Sequence, residues 1–182
     1  MTSVHVYALL GSERRQLVKH VEQVCKTAGV KQVAVTPKKL QLKELKSDAF
    51  GLDASLVILC HYNEGRVLIT DRDGMYNDFL VVASKNAGGN VLLVVSGVDT
   101  SDGELANTSF VDSLVWEGAQ NAVGEIHTQR RLLTWNGSPS SFHKEHILKA
   151  VQGQLEPLQL PHSVLEHSSL AQPKKGFLCA IL

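Results

Sequence analysis

The chain has 182 residues, of which 43% are hydrophobic and 20% charged, and its eighteen basic side chains cancel eighteen acidic ones. That is ordinary globular composition, long enough to bury one core without disulfides or metals, and the balanced charge gives no reason to expect nucleic acid as a partner. The three cysteines do not suggest a secreted disulfide scaffold, the N-terminus lacks the basic region of a secretory signal, and no apolar run approaches the roughly 20 residues that span a bilayer, so a cytoplasmic protein with reduced thiols is expected.

Val4 to Leu10 is an apolar, β-branched run ended by Gly11, and it reads as a buried strand. Ser12 is placed to cap the helix that follows, in which Leu17, Val21, Val24, Cys25 and Ala28 recur at helical spacing before Gly29. Lys31 to Thr36 reads as a short strand stopped by Pro37, and Lys38 to Lys46 as either a short helix or an extended connection. Ser55 to Cys60 is the strongest buried-strand signal, with a turn over His61 to Gly65. Met75 to Lys85 shows an apolar helical face of Phe79, Leu80, Val82 and Ala83, broken at Ala87 to Asn90. Val91 to Val95 is a fourth buried strand, closed by Ser96 and Gly97. Thr108 to Gly118 reads as a helix, while Asn121 to Thr128 fits either a helix or an edge strand. Arg131 to Trp135 is a last strand, and Ser140 or Ser141 caps a helix that turns Phe142, Ile147, Leu148 and Val151 inward. Beyond Gln154 the periodicity stops, and Pro157, Pro161 and Pro173 lie among scattered Ser and His. The expected organisation is one domain over residues 1–154 and a flexible tail over residues 155–182.

Strands that alternate with helices argue for a parallel sheet covered on both faces. Five strands at this spacing resemble a three-layer flavodoxin-like or Ras-like α/β fold, with strand order 2-1-3-4-5 expected by that analogy. Ligands of such sheets bind beyond the carboxyl ends of the strands. That edge should gather Gly11, Ser12, His61, Tyr62, Asn63, Glu64, Ser96, Gly97, Asp99 and Asn136, with Gly11, Ser12, His61, Asn63, Ser96 and Asp99 forming a candidate ligand crevice.

No catalytic constellation stands out. The segment after the first strand, Leu10-Gly11-Ser12-Glu13-Arg14-Arg15-Gln16, has one glycine and no Gly-Lys-Ser/Thr, and Glu13 puts negative charge where a P-loop would hold phosphate. Asp99 is similar to the guanine-reading Asp of Ras-like proteins, but its Asn and Lys are missing, and Asp71-Arg72-Asp73-Gly74 lies too far past the third strand to be a switch motif. Cys60 next to His61 reads as a core cysteine, because adjacent strand residues face opposite sides, and Cys25 as another. Asp71, Asp73 and Asp78 do not match a calcium loop. His143 and His146 lack a third metal ligand and read as a surface pair. Trp116 and Trp135 read as core or half-buried packing, and neither cofactor nor metal is expected.

The last four residues, Cys179-Ala180-Ile181-Leu182, resemble the CaaX box of prenylated proteins. That resemblance implies geranylgeranylation of Cys179, favoured by the final Leu, then removal of Ala180, Ile181 and Leu182 and carboxyl methylation. A single lipid attaches reversibly, so Lys174 and Lys175 are candidates for a second contact with an anionic membrane surface. The expectation is a lipid-anchored, non-enzymatic signalling or adaptor domain. The alternatives are a nucleotide- or cofactor-binding enzyme using the strand-end crevice, and an unmodified soluble interaction module.

Overall fold

A computed structural model of the chain describes residues 1–40, 54–63 and 76–167. In chain order its elements are β1 (Thr2–Ala8), α1 (Gly11–Thr27), β2 (Val33–Lys39), β3 (Leu56–Tyr62), α2 (Asn77–Asn86), β4 (Val91–Ser96), α3 (Thr108–Trp116), α4 (Asn121–Thr128), β5 (Leu132–Trp135), α5 (Ser141–Val151) and α6 (His162–His167). The strands form one sheet in the order β2-β1-β3-β4-β5, and every neighbouring pair runs parallel.

Period two along the strands divides the core. Val4, Val6 and Ala8 of β1, with Leu56, Ile58 and Cys60 of β3, turn to one face and pack on Leu17, Val21 and Val24 of α1 and on Ile147 and Val151 of α5. Tyr7, Val57 and Leu59 turn to the other and meet Phe79 and Leu80 of α2, Val111 of α3 and Val123 and Ile126 of α4. The ring of Phe79 stands edge-on to that of Tyr7, with centroids 5.0 Å apart. A sheet covered on both faces is why the three inner strands read as unbroken apolar runs.

Several elements depart from expectation. The second strand passes through Pro37, which pairs with Val6, and runs on to Lys39. Proline is tolerated there because β2 is the edge strand and its missing N–H breaks no central ladder. The ambiguous segment at Asn121 is a helix, and its Ala122, Val123 and Ile126 are fully buried at helical spacing. Trp116 is 83% exposed at the end of α3 instead of packed, whereas Trp135 is buried. Of the two candidate caps of α5, Ser140 is the one used: its hydroxyl accepts from the His143 N–H.

The folded unit also extends past Gln154, the expected boundary. Leu158 and Val164 are buried against the α2 and α4 side of the sheet. The strap before α6 is held by long-range bonds: Leu158 N–H donates to Gly89 O at 2.8 Å, Gln159 exchanges two bonds with the Gln129 side chain, and the Arg131 guanidinium donates to Glu156 O. Gly89 has φ of +79°, and a Cβ there would lie 2.8 Å from that of Pro157, so only glycine lets the strap approach this closely. The connection Lys38 to Lys46 is described only to Leu40, which is buried. Asp71 to Gly74, Lys174, Lys175 and Cys179 to Leu182 lie outside the described residues.

Candidate functional site

The strand order reverses direction between β1 and β3, and there the carboxyl ends of neighbouring strands diverge into a crevice. A cavity of about 140 Å³ occupies it, lined by Leu9, Leu10, Glu13, Cys60, His61, Tyr62 and Tyr76. Small-molecule pockets ordinarily measure about 300–1,000 Å³, so this one suits a side-chain-sized group.

Each wall has a local cause. β1 ends at Ala8, and the chain enters α1 with Leu10 at its N-cap, whose side chain makes no capping bond. Ser12 is therefore not the cap; it is the second helical residue and is exposed. Glu13, in the first turn, complements the helix dipole, which is worth about 0.3–1 kcal/mol for an acid there. Its carboxylate reaches across to β4 and accepts the Ser96 hydroxyl at 2.5 Å. Among the described residues no cation stands within ion-pair distance of Glu13.

On the β3 side, Cys60 and His61 point to opposite faces. The Cys60 sulfur sits 3.9 Å from the Ser96 hydroxyl, and burial pushes its pKa up to about 12, with the Ser96 hydrogen bond opposing and the Glu13 charge adding. A thiol held protonated at neutral pH is no nucleophile, and the core reading of Cys60 stands. Buried Cys25 is also raised by desolvation. His61 Nδ1 lies 2.9 Å from the hydroxyl of Tyr76, and the two rings stand edge to face. Burial raises the Tyr76 phenol, so it stays neutral. Tyr62 rests on the backbone of Gly97, where φ is +80° and a Cβ would come 3.1 Å from the ring. That glycine leaves room for the ring at the rim of the cavity, 40% exposed.

Of the six residues expected in the crevice, His61 lines the cavity and Ser96 joins it through Glu13. Asn63 binds across the gap, its N–H donating to Ser96 O. Gly11 opens α1, flanked by the guanidinium groups of Arg14 and Arg15. Asp99 is exposed on the loop toward α3, and its carbonyl accepts from Asn107. Tyr62, also expected at this edge, lines the cavity, and the important residue that site reasoning passed over is Tyr76. Tyr76 precedes α2 in sequence and meets β3 only through the packing of α2 on the sheet.

The histidine pair of α5 is buried, not a surface pair. His143 Nε2 lies 2.9 Å from Leu105 O and His146 Nε2 2.7 Å from Arg130 O. Both ring nitrogens point at backbone carbonyls and do not converge on a shared metal position. Among the described residues no group of three or more His, Cys, Asp or Glu could hold a metal ion, and no helix is long and apolar enough to cross a membrane.

No family model matches the chain, and no curated protein matches it. Among solved structures it is similar to a short-chain flavodoxin associated with a non-canonical PDU bacterial microcompartment, at 15% identity over 85% of this chain and 97% of that one, with a TM-score of 0.40. The fold is flavodoxin-like. The parallel five-stranded sheet in the order 2-1-3-4-5 carries that statement.

Proposed function

We propose that this chain is a non-enzymatic signalling or adaptor domain held at the cytosolic face of membranes by a geranylgeranyl group on Cys179. The observation that supports a non-enzymatic reading is the inward turn of Glu13. In flavodoxin-like sheets, anionic ligand groups settle at the N-terminus of the helix after the first strand. Here that helix spends its first turn on a carboxylate bonded to Ser96. A phosphate seated about 4 Å from it would meet a repulsion of about 4 kcal/mol at the effective dielectric of a protein surface, roughly a thousandfold in affinity.

The membrane half of the proposal rests on Cys179-Ala180-Ile181-Leu182 and on Lys174 and Lys175 before it. Two lysines add about 2 kcal/mol against an anionic leaflet, so attachment is exchangeable. In cells, Cys179→Ser should shift the protein from the membrane fraction to the soluble one. The C-terminal peptide of native protein should carry the added isoprenoid mass and lack Ala180 to Leu182. An unmodified sulfur, or a native chain that continues beyond Leu182, would end this half of the reading.

The second reading, a nucleotide- or cofactor-binding enzyme, is favoured by Arg14 and Arg15, whose guanidinium groups fold back toward Gly11. A thermal-shift comparison separates the two, because a ligand raises Tm in proportion to its saturation. Millimolar GTP, ATP, FMN or NAD is expected to leave Tm unchanged, and a rise of several degrees with any of them would favour the enzyme.

A further inference from the structure

We infer that the cavity between β1 and β3 is a binding site for a lysine side chain presented by a partner protein. This rests on the adaptor reading and names what the adaptor would recognise.

The cavity is lined by Leu9, Leu10, Tyr62 and Tyr76, with Cys60 and His61, around Glu13. A carboxylate has about four acceptor sites, and the Ser96 hydroxyl takes one of them. No lysine, arginine or histidine among the described residues stands within ion-pair distance of it, and the positive end of α1 offsets only about half a charge. Arg14 and Arg15 lie toward Gly11 and do not line the cavity. Among the described residues, what remains is a carboxylate at a cavity lined mostly by apolar and aromatic side chains, an arrangement that favours a cation.

The size and the rim choose which cation. About 140 Å³ is too small for a nucleotide and fits one side chain. Leu10 and Tyr62 are 42% and 40% exposed at this end of the sheet. They offer apolar surface along which an aliphatic stem can lie while its charged head reaches inward. Tyr62 and Tyr76 line the cavity, and a cation that lies over a tyrosine ring is attracted by its quadrupole, the more so as the site loses water. An ammonium on a four-carbon stem matches all three features: depth, apolar neck and negative floor. An anionic ligand matches none of them.

The test uses the unmodified full chain, labelled with ¹⁵N, and three small probes: Nα-acetyl-lysine methylamide, its Nε-acetylated form and the norleucine analogue. The lysine probe should give saturable amide shifts at Leu10, Glu13, Tyr62 and Gly97 with millimolar affinity. The two uncharged probes should bind at least about tenfold more weakly, since each lacks the attraction to Glu13. Glu13→Gln keeps an acceptor for Ser96 and so keeps the fold, visible as unchanged dispersion of the remaining spectrum. It should weaken the lysine probe by a similar factor. The inference is overturned if the three probes bind alike, if Glu13→Gln binds lysine as tightly as the native chain, or if millimolar lysine probe moves none of these amides. Each outcome is independent of Cys179, which carries no lipid in this sample, so failure here leaves the membrane proposal standing. A Tm rise with a nucleotide would in turn remove the adaptor reading without touching the titration.

Discussion

Replacing Arg131 with Met is expected to lower stability by about 3 kcal/mol, a fall in Tm of about 6–12 °C for a domain of this size. Arg131 is 1% exposed. Its Nη1 donates to Asn90 Oδ1 at 3.1 Å and to Val91 O at 3.3 Å, and its Nη2 donates to Glu156 O. Burial lowers its pKa and the Glu156 charge opposes this; an arginine so held remains cationic. Met fills comparable volume but donates nothing, so acceptors on β4 and on the strap lose their partner where little water can replace it. Because one of those acceptors is Glu156 O, the strap should loosen first. Limited proteolysis should cut between residues 155 and 161 in the variant at protease levels that leave the native chain intact. Gly89→Ala should expose the same segment by another route, through a left-handed backbone and a collision with Pro157. If the Arg131→Met variant melts within about 2 °C of the native protein, with its strap still protected, this guanidinium does not hold the C-terminal segment.

Acid should begin to destabilise the domain as pH falls below about 6.5, the ordinary histidine value, above the range where carboxylates titrate. His143 and His146 both have pKa values lowered by burial, and hydrogen bonds to Leu105 O and Arg130 O oppose the shift only in part. Arg130, Arg131 and Lys149 repel a charge on His146. His20 is lowered by burial and by Lys144 across from it. Since a carbonyl can only accept, Nε2 of His143 carries its proton, and Nδ1 accepts from the Ser140 N–H at 3.2 Å. Protonating Nδ1 breaks that half of the capping box of α5. The sign follows from linkage. All three pKa values lie below the unfolded value, so stability is full above about pH 6.5 and falls as pH drops, because the unfolded chain takes up protons that the folded chain refuses. Each histidine contributes up to about 1.4 kcal/mol per pH unit until its own folded pKa is reached. Urea unfolding at pH 7.5 and 5.5 reads the difference directly. His146→Gln, which keeps a donor for Arg130 O, should flatten the curve; an identical slope in that variant would remove His146 from the account.

The candidate site was legible in outline and not in detail. Glu13 stood out in the sequence as negative charge at a phosphate position, and the strand-end rule placed His61 and Ser96 on the correct edge. The same rule placed Tyr62 there, but Tyr76 was not legible as a partner, because it precedes a helix. Only helix-on-sheet packing brings Tyr76 Oη to His61, 15 residues away along the chain. The same reason explains the buried pair on α5. Helical spacing placed His143 and His146 near one another, but their carbonyl partners on Leu105 and Arg130 belong to other parts of the chain.

The sequence by itself determined the layered α/β architecture and most of the helices, because apolar periods of two and of 3.6 are local properties that burial demands, while the strand order was expected only by analogy with such folds. Tertiary structure alone decided what depends on contacts distant along the chain. It carried β2 through Pro37 by making it an edge. It turned Glu13 onto Ser96 across a gap of 83 residues. It drew the proline-rich stretch after Gln154 into the fold through Gly89, Gln129 and Arg131, whose backbone and side-chain hydrogen bonds leave no periodic trace in the segment they hold.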